Sequence, residues 1–212
     1  MKNYIKLLRP WHYMKNIMII FPLVFSGRLM EPLLLFYSFA AVIAFSLLCS
    51  VVYIVNDCRD AERDKLHPSK RNRPIASGAI SKPRAWVVAA VLAALSFLMQ
   101  AALRFPAAAI VWAMVYLAVN LIYTYGGKNI PVLDIALLGI GYPIRLMYGG
   151  AVLNIEVSEW LFLTALFFSF YLALGKRHGE VKNLKKYYDG DHDRGMTRPV
   201  LKILFGILSG KA

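Results

Sequence analysis

Four stretches of this chain, 33–55, 85–103, 107–123 and 161–174, are runs of Leu, Ile, Val, Ala and Phe broken by few polar residues. A helix made from such a run has no hydrophilic face to turn to water, and a hydrocarbon layer about 30 Å thick takes roughly 20 apolar residues to cross. A fifth run, 132–153, encloses Asp134 and Arg145, and a sixth, 17–26, is short and carries Pro22 near its middle. The segment 199–210 is apolar but holds Lys202 and is too short to span. Hydrophobic residues make up 58% of the chain and charged ones 17%, which excludes a soluble globular domain and a disordered chain alike. The expected fold is all-α: a polytopic membrane helix bundle of six transmembrane helices plus a C-terminal stub, with 1–212 forming a single integral-membrane helical domain.

The cations set the orientation, because short loops rich in Lys and Arg stay on the cytoplasmic side. With the N-terminus inside and six crossings, all of the 25 Lys and Arg residues fall on the cytoplasmic side except Arg28, Arg104 and Arg145. A net charge of +13 in a soluble chain would suggest nucleic acid. Here the basic residues lie between apolar runs, so they mark sidedness and anionic ligands, and no nucleic-acid partner is expected. The stretch 9–16 reads as an amphipathic leading helix that stays in the mature chain, since no small-x-small cleavage pattern follows Phe25. The two cysteines, Cys49 and Cys58, are expected to be reduced, structural thiols.

Directly after the first long run comes Asn56-Asp57-Cys58-Arg59-Asp60-Ala61-Glu62-Arg63-Asp64. If the helix continues, Asn56, Asp57, Asp60 and Asp64 share about a 100° arc and Glu62 points away. Three carboxylates held that close repel one another unless a cation lies between them, and hard oxygen donors suit Mg²⁺, which commonly completes its shell with phosphate oxygens and water. The bland alternative is a solvated loop with i, i+3 and i+4 surface pairs. It is disfavoured because Lys65, Lys70, Arg71, Arg73, Lys82 and Arg84 follow in the same loop, joining cations for phosphate to carboxylates for metal.

A second constellation is Tyr123-Thr124-Tyr125-Gly126-Gly127-Lys128, with Asp134 six residues beyond. The tyrosines also suit an interfacial belt, but an acid inside an apolar run is costly and normally has a partner or a function. Arg145 returns to nearly the same helix face, where ligand contact and structural pairing are equally good readings. A third, Gly175-Lys176-Arg177-His178-Gly179-Glu180, closes the last full run with cations that favour a helix C-terminus and anionic headgroups. Asp189, Asp191 and Asp193 lack the Gly and distal Glu of a calcium loop and read as a solvated linker.

Asn-Asp-x-x-Asp-x-x-x-Asp at 56–64, followed by Arg73-Pro74 and Ser77-Gly78, resembles the first aspartate-rich motif of the UbiA superfamily of intramembrane prenyltransferases. The second Asp-x-x-x-Asp motif typical of that superfamily is absent from this chain. In its place Tyr123, Lys128 and Asp134 are similar to the Tyr-x4-Lys-x5-Asp pattern of a narrower branch, the decaprenyl-phosphate phosphoribosyltransferases. Arg9-Pro10 with Lys15-Asn16, the 70–74 run, Gly141 with Arg145, and 175–177 with Glu180 also look like that branch, so the resemblance covers 8 to about 182. It implies a nine-helix bundle, of which this chain carries six and a stub. The implied reaction is Mg²⁺-dependent transfer of 5-phosphoribose from phosphoribosyl pyrophosphate to a polyprenyl phosphate, releasing pyrophosphate, in the inner membrane with the active site cytoplasmic.

In this reading Asp57, Asp60 and Asp64 hold Mg²⁺, and Asp134 takes a second Mg²⁺ or a ribose hydroxyl. Lys15, Arg71, Arg73 and Lys128 hold the donor 5-phosphate or the acceptor phosphate, for which lone cations and Arg forks are suited. Asn16, Asn56, Lys70, Tyr123, Arg145, Lys176 and Arg177 complete the substrate site. Two rivals stand beside it: an aromatic prenyltransferase using a prenyl diphosphate, against which the single complete motif counts, and a non-catalytic membrane fragment.

Overall fold

The computed structural model describes residues 2–66, 70–127 and 130–188. Among these residues all regular structure is helical: α1 Lys2–Leu8, a 3₁₀ helix Pro10–Ile19, α2 Phe21–Phe25, α3 Pro32–Lys65, a short 3₁₀ turn Lys70–Asn72, α4 Lys82–Ala102, α5 Ala107–Tyr125, α6 Pro131–Gly139, α7 Gly141–Leu153 and α8 Glu159–Tyr188. Prolines open α3 and α6 at their first turns, where the missing N–H costs nothing. The chain divides into two compact units, 1–118 with 144–158, and 119–143 with 159–212.

In the first unit α3 is the axis. Its 34 residues make a rod of about 51 Å at 1.5 Å per residue, longer than the hydrocarbon layer, so its polar end overhangs the apolar part. α4 packs along it through small residues, with Ala85 and Ala89 buried beside Ile54, Cys58 and Ala61. Ser96 Oγ donates to the Ala44 carbonyl at 2.8 Å, satisfying a hydroxyl inside the bundle. Leu7 of α1 and Ile75 and Ile80 of the 66–81 loop seal the polar end of the same cluster. Gly149 of α7 lies directly against the Ile19 backbone, which seats the 3₁₀ helix. In the second unit α6 packs on α8; Ser169 Oγ of α8 donates to the Gly139 carbonyl, and Gly127 closes the turn after α5 against Leu137 and Ile122.

Among the described residues, four helical segments are long and apolar enough to cross a membrane: Pro32–Lys65, Lys82–Ala102, Ala107–Tyr125 and Leu133–Leu153. All four are expected spans with adjusted ends. The run 132–153 is broken at Ile140 into α6 and α7, where Gly139, Gly141 and Pro143 cluster. The run 161–174 lies in α8, whose apolar part, Glu159–Gly175, is shorter than those four. The sixth expected span, 17–26, is not one α-helix. Pro22 removes an N–H in its middle, and the stretch is carried instead by the end of the 3₁₀ helix and the five-residue α2. The expected amphipathic helix at 9–16 is the 3₁₀ segment itself. The 199–210 stub and Asp189, Asp191 and Asp193 lie outside the described residues.

A candidate metal and anion site

Because α3 runs unbroken to Lys65, its last three turns present a period-3.6 stripe. Asp57, Ala61 and Asp64 are buried while Arg59, Glu62, Arg63 and Lys65 are exposed. Asp57 is only 2% exposed and Asp64 4%, burial that a carboxylate tolerates only with cations or donors around it. Glu62 points away as expected and pairs with Lys65 at 2.8 Å and Lys82 at 3.3 Å on the surface. Asp60, half-buried, flanks the stripe and has interactions of its own.

Two arginines supply the compensation. Arg9 Nη2 donates to both oxygens of Asp57, at 2.6 and 2.8 Å, and its guanidinium lies 5.3 Å from the centre of the Tyr53 ring, one turn back along α3. Arg9 has φ 54 and ψ 56, a left-handed conformation between α1 and Pro10 that non-glycine residues seldom adopt. Arg73, just past the short 3₁₀ turn, donates from one nitrogen, Nη1, to Asp57 Oδ1 at 3.2 Å and to Asp64 Oδ2 at 2.6 Å. The expected convergence of three carboxylates is thus, in the structure, two carboxylates converging on a guanidinium nitrogen. Among the described residues no three His, Cys, Asp or Glu side chains are gathered to hold a metal ion. The donor set still fits Mg²⁺. Two carboxylate oxygens already share one cationic nitrogen, and the adjacent Asn56 Oδ1 is shut off from solvent with no hydrogen-bond partner among the described residues.

Asn16 and Arg145 are spent on each other. Arg145 Nε donates to Asn16 Oδ1 at 2.8 Å, Asn16 Nδ2 donates to Ser46 Oγ at 2.8 Å, and Arg145 Nη2 donates to Tyr116 Oη at 3.3 Å. Asn16 is fully buried and Arg145 is 5% exposed, its guanidinium over the Phe45 and Tyr116 rings. Of the two readings left open for Arg145, structural pairing is the one this geometry supports. Asn16→Ala is expected to cost about 2 kcal/mol, because Arg145 Nε and Ser46 lose their partner, read as a lower thermal midpoint in detergent. Lys15 keeps much of its surface open. Protein atoms crowding its ammonium, and after them the Arg145 guanidinium, lower its pKa from the usual lysine value.

Arg71 is exposed and Lys70 half-buried on the turn preceding Arg73. In the second unit, Tyr123 is half-buried near the end of α5 and Asp134 is fully buried in the first turn of α6, where the helix dipole favours an acid. Lys128 and the side chains of Lys176 and Arg177 lie outside the described residues. Arg9 is the site residue that sequence reasoning missed. The available signal was a charge count: buried acids need cations, and a lone Arg before Pro at the start of an apolar run is well placed to supply one.

The chain matches the UbiA prenyltransferase family over residues 17–209. It is 37% identical over 179 residues to the decaprenyl-phosphate phosphoribosyltransferase of Corynebacterium glutamicum, covering 84% of this chain and 54% of that protein. To the protein of that name from Mycolicibacterium smegmatis it is 36% identical over 187 residues, covering 84% of this chain and 57% of the other. The chain therefore spans little more than half the length of these relatives. A UbiA homologue from Archaeoglobus fulgidus, solved with GPP and Mg²⁺, superposes with a TM-score of 0.71 at 20% identity, covering 98% of this chain and 76% of that one. That likeness shows the fold. With its apolar helices and its match along nearly the whole sequence, this multi-pass integral membrane protein belongs to the UbiA prenyltransferase family.

Proposed function

We propose that the protein transfers 5-phosphoribose from phosphoribosyl pyrophosphate to a polyprenyl phosphate, releasing pyrophosphate, at the cytoplasmic face of the inner membrane. The observation that carries this reading is the buried Asp57 and Asp64 pair on one face of α3, gathered about a cation. The similarity to the two phosphoribosyltransferases supports the choice of substrates.

Bound to Asp57 and Asp64, with Asp60 and Asn56 alongside, Mg²⁺ would supply the positive charge that stabilises a departing diphosphate. The chain's own residues do the rest. Arg73 offers guanidinium N–H groups at the same place, a fork suited to phosphate oxygens. Lys15, whose ammonium feels the positive charge of Arg145, and Arg71, exposed beside Arg73, hold the sugar 5-phosphate and the lipid phosphate. The acceptor is already an anion at neutral pH, so it needs positioning against the ribose anomeric carbon and no general base. Lys70 adds positive charge to the same turn. Tyr123, Lys128, Asp134, Lys176 and Arg177 enter through the sequence pattern alone.

Purified protein in detergent with Mg²⁺, phosphoribosyl pyrophosphate and a polyprenyl phosphate is expected to yield phosphoribosylated lipid by mass spectrometry, and EDTA is expected to abolish it. Turnover only with a prenyl diphosphate and an aromatic acid would replace this reading with that of an aromatic prenyltransferase.

A further inference from the structure

The carboxylate oxygens best placed to ligate metal are already engaged. Arg9 Nη2 spans both oxygens of Asp57, and Arg73 Nη1 bridges Asp57 to Asp64. Both arginines are largely buried, 20% and 25% exposed, so these pairs are not surface pairs that water screens to insignificance. Two buried negative charges meet two partly buried positive ones, and the formal sum is zero. A bare divalent cation entering this site would add two positive charges to a set whose formal sum is already zero, and would have to take carboxylate oxygens from a guanidinium left with no anion in exchange. A metal that arrives with a diphosphate brings its own negative charge. The displaced guanidinium groups then have phosphate oxygens to turn to, and the pocket returns toward neutrality.

We infer that Arg9 and Arg73 form a counter-ion latch on the metal-binding aspartates, making the site selective for a metal–diphosphate complex over free metal. The inference rests on the proposed function above and adds an order to it: metal and diphosphate bind together, and the arginines pass from carboxylate to phosphate as they do. Arg9 is suited to this. Its backbone is held in a strained left-handed conformation directly before Pro10, which aims a side chain from the leading segment at an acid 48 positions away.

The test is equilibrium dialysis of detergent-solubilised protein against Mn²⁺, read by electron paramagnetic resonance, with and without inorganic pyrophosphate at matched free Mn²⁺. In the wild type, pyrophosphate is expected to tighten Mn²⁺ binding about tenfold or more, a coupling of ordinary size for linked sites. Arg9→Gln is expected to bind free Mn²⁺ about tenfold more tightly than the wild type, since one competitor is gone, and to lose most of the gain from pyrophosphate. Arg73→Gln is expected to shift both readings the same way. If the wild type binds Mn²⁺ as tightly without pyrophosphate as with it, or both variants bind free Mn²⁺ no more tightly than the wild type, the latch is overturned while the metal site stands. No Mn²⁺ bound to the wild type under either condition would overturn the latch and the proposed function together. The wild-type measurement decides the matter even if a variant does not fold.

Discussion

Asp57→Asn is expected to lower the proposed phosphoribosyl transfer about 10²- to 10³-fold, since a weaker hold on the Mg²⁺ that would stabilise the departing diphosphate removes on the order of 3–4 kcal/mol of transition-state stabilisation. The change is nearly isosteric, so packing around α3 is kept and the effect reports charge. Asp57 is 2% exposed and accepts from two guanidinium groups, one of which it shares with Asp64. Neutralising it leaves Arg9 facing an amide, and leaves Arg73 paired with the carboxylate of Asp64. Breaking a fully buried pair costs about 3–5 kcal/mol. Because both arginines reach solvent in part, about 2 kcal/mol is the expected loss here, read as a lower thermal midpoint in detergent. Glu62→Gln is the matched control: Glu62 is on the same helix but exposed, its partners are the surface lysines Lys65 and Lys82, and both rate and midpoint are expected to stay close to the wild type. An Asp57→Asn protein that keeps its rate within tenfold would remove the carboxylate from the chemistry.

The stripe on α3 is legible in the sequence because helix periodicity is local. Once 33–55 is read as a helix, extending it by ten residues fixes which of Asp57, Asp64 and Glu62 turn inward, and the structure agrees. The long apolar runs are legible for the same reason. What the pattern leaves out depends on distant partners. The Arg9–Asp57 pair closes 48 positions and the Asn16–Arg145 bond 129, and no periodicity links such residues. Asn16 enters the candidate site through the resemblance, and for Arg145 ligand contact and structural pairing are equally good readings of the sequence, because a polar group among apolar ones has either a ligand or a partner and no local pattern says which. The 3₁₀ winding of Pro10–Ile19 is likewise set from outside. Runs of that length are unusual for so tight a helix, and this one is seated on α7 at a glycine far along the chain. The division of 132–153 into α6 and α7 had a local signal in Gly139, Gly141 and Pro143, outweighed by the hydropathy of the run.

That seat gives the largest stability effect expected outside the aspartates. A Cβ on Gly149 would stand 2.8 Å from Ile19 C and 2.9 Å from Ile19 Cα, and closer still to the Ile19 carbonyl oxygen. All three are backbone atoms, so no rotamer change relieves the clash, and either α7 or the 3₁₀ helix must move bodily. Close backbone approach at glycine is how membrane helices gain packing contacts where no hydrophobic drive separates protein from lipid. Gly149→Ala therefore forfeits packing and adds strain together, at a cost of about 3 kcal/mol, the upper end for an overpacked core site. Gly126→Ala is the control, because a Cβ there meets nothing within 4 Å and the effect expected is the small helix-turn difference between the two residues. The displaced element is the one that carries Lys15 and Asn16 and directly follows Arg9, so the Gly149→Ala protein is also expected to lose the ordering of the Arg9–Asp57 pair. The measurement is a thermal melt of both variants in detergent, followed by Mn²⁺ dialysis on whatever remains folded. A Gly149→Ala midpoint equal to the wild type would mean that the 3₁₀ helix does not rest on α7 at this glycine, and the placement of Arg9 would then need another cause.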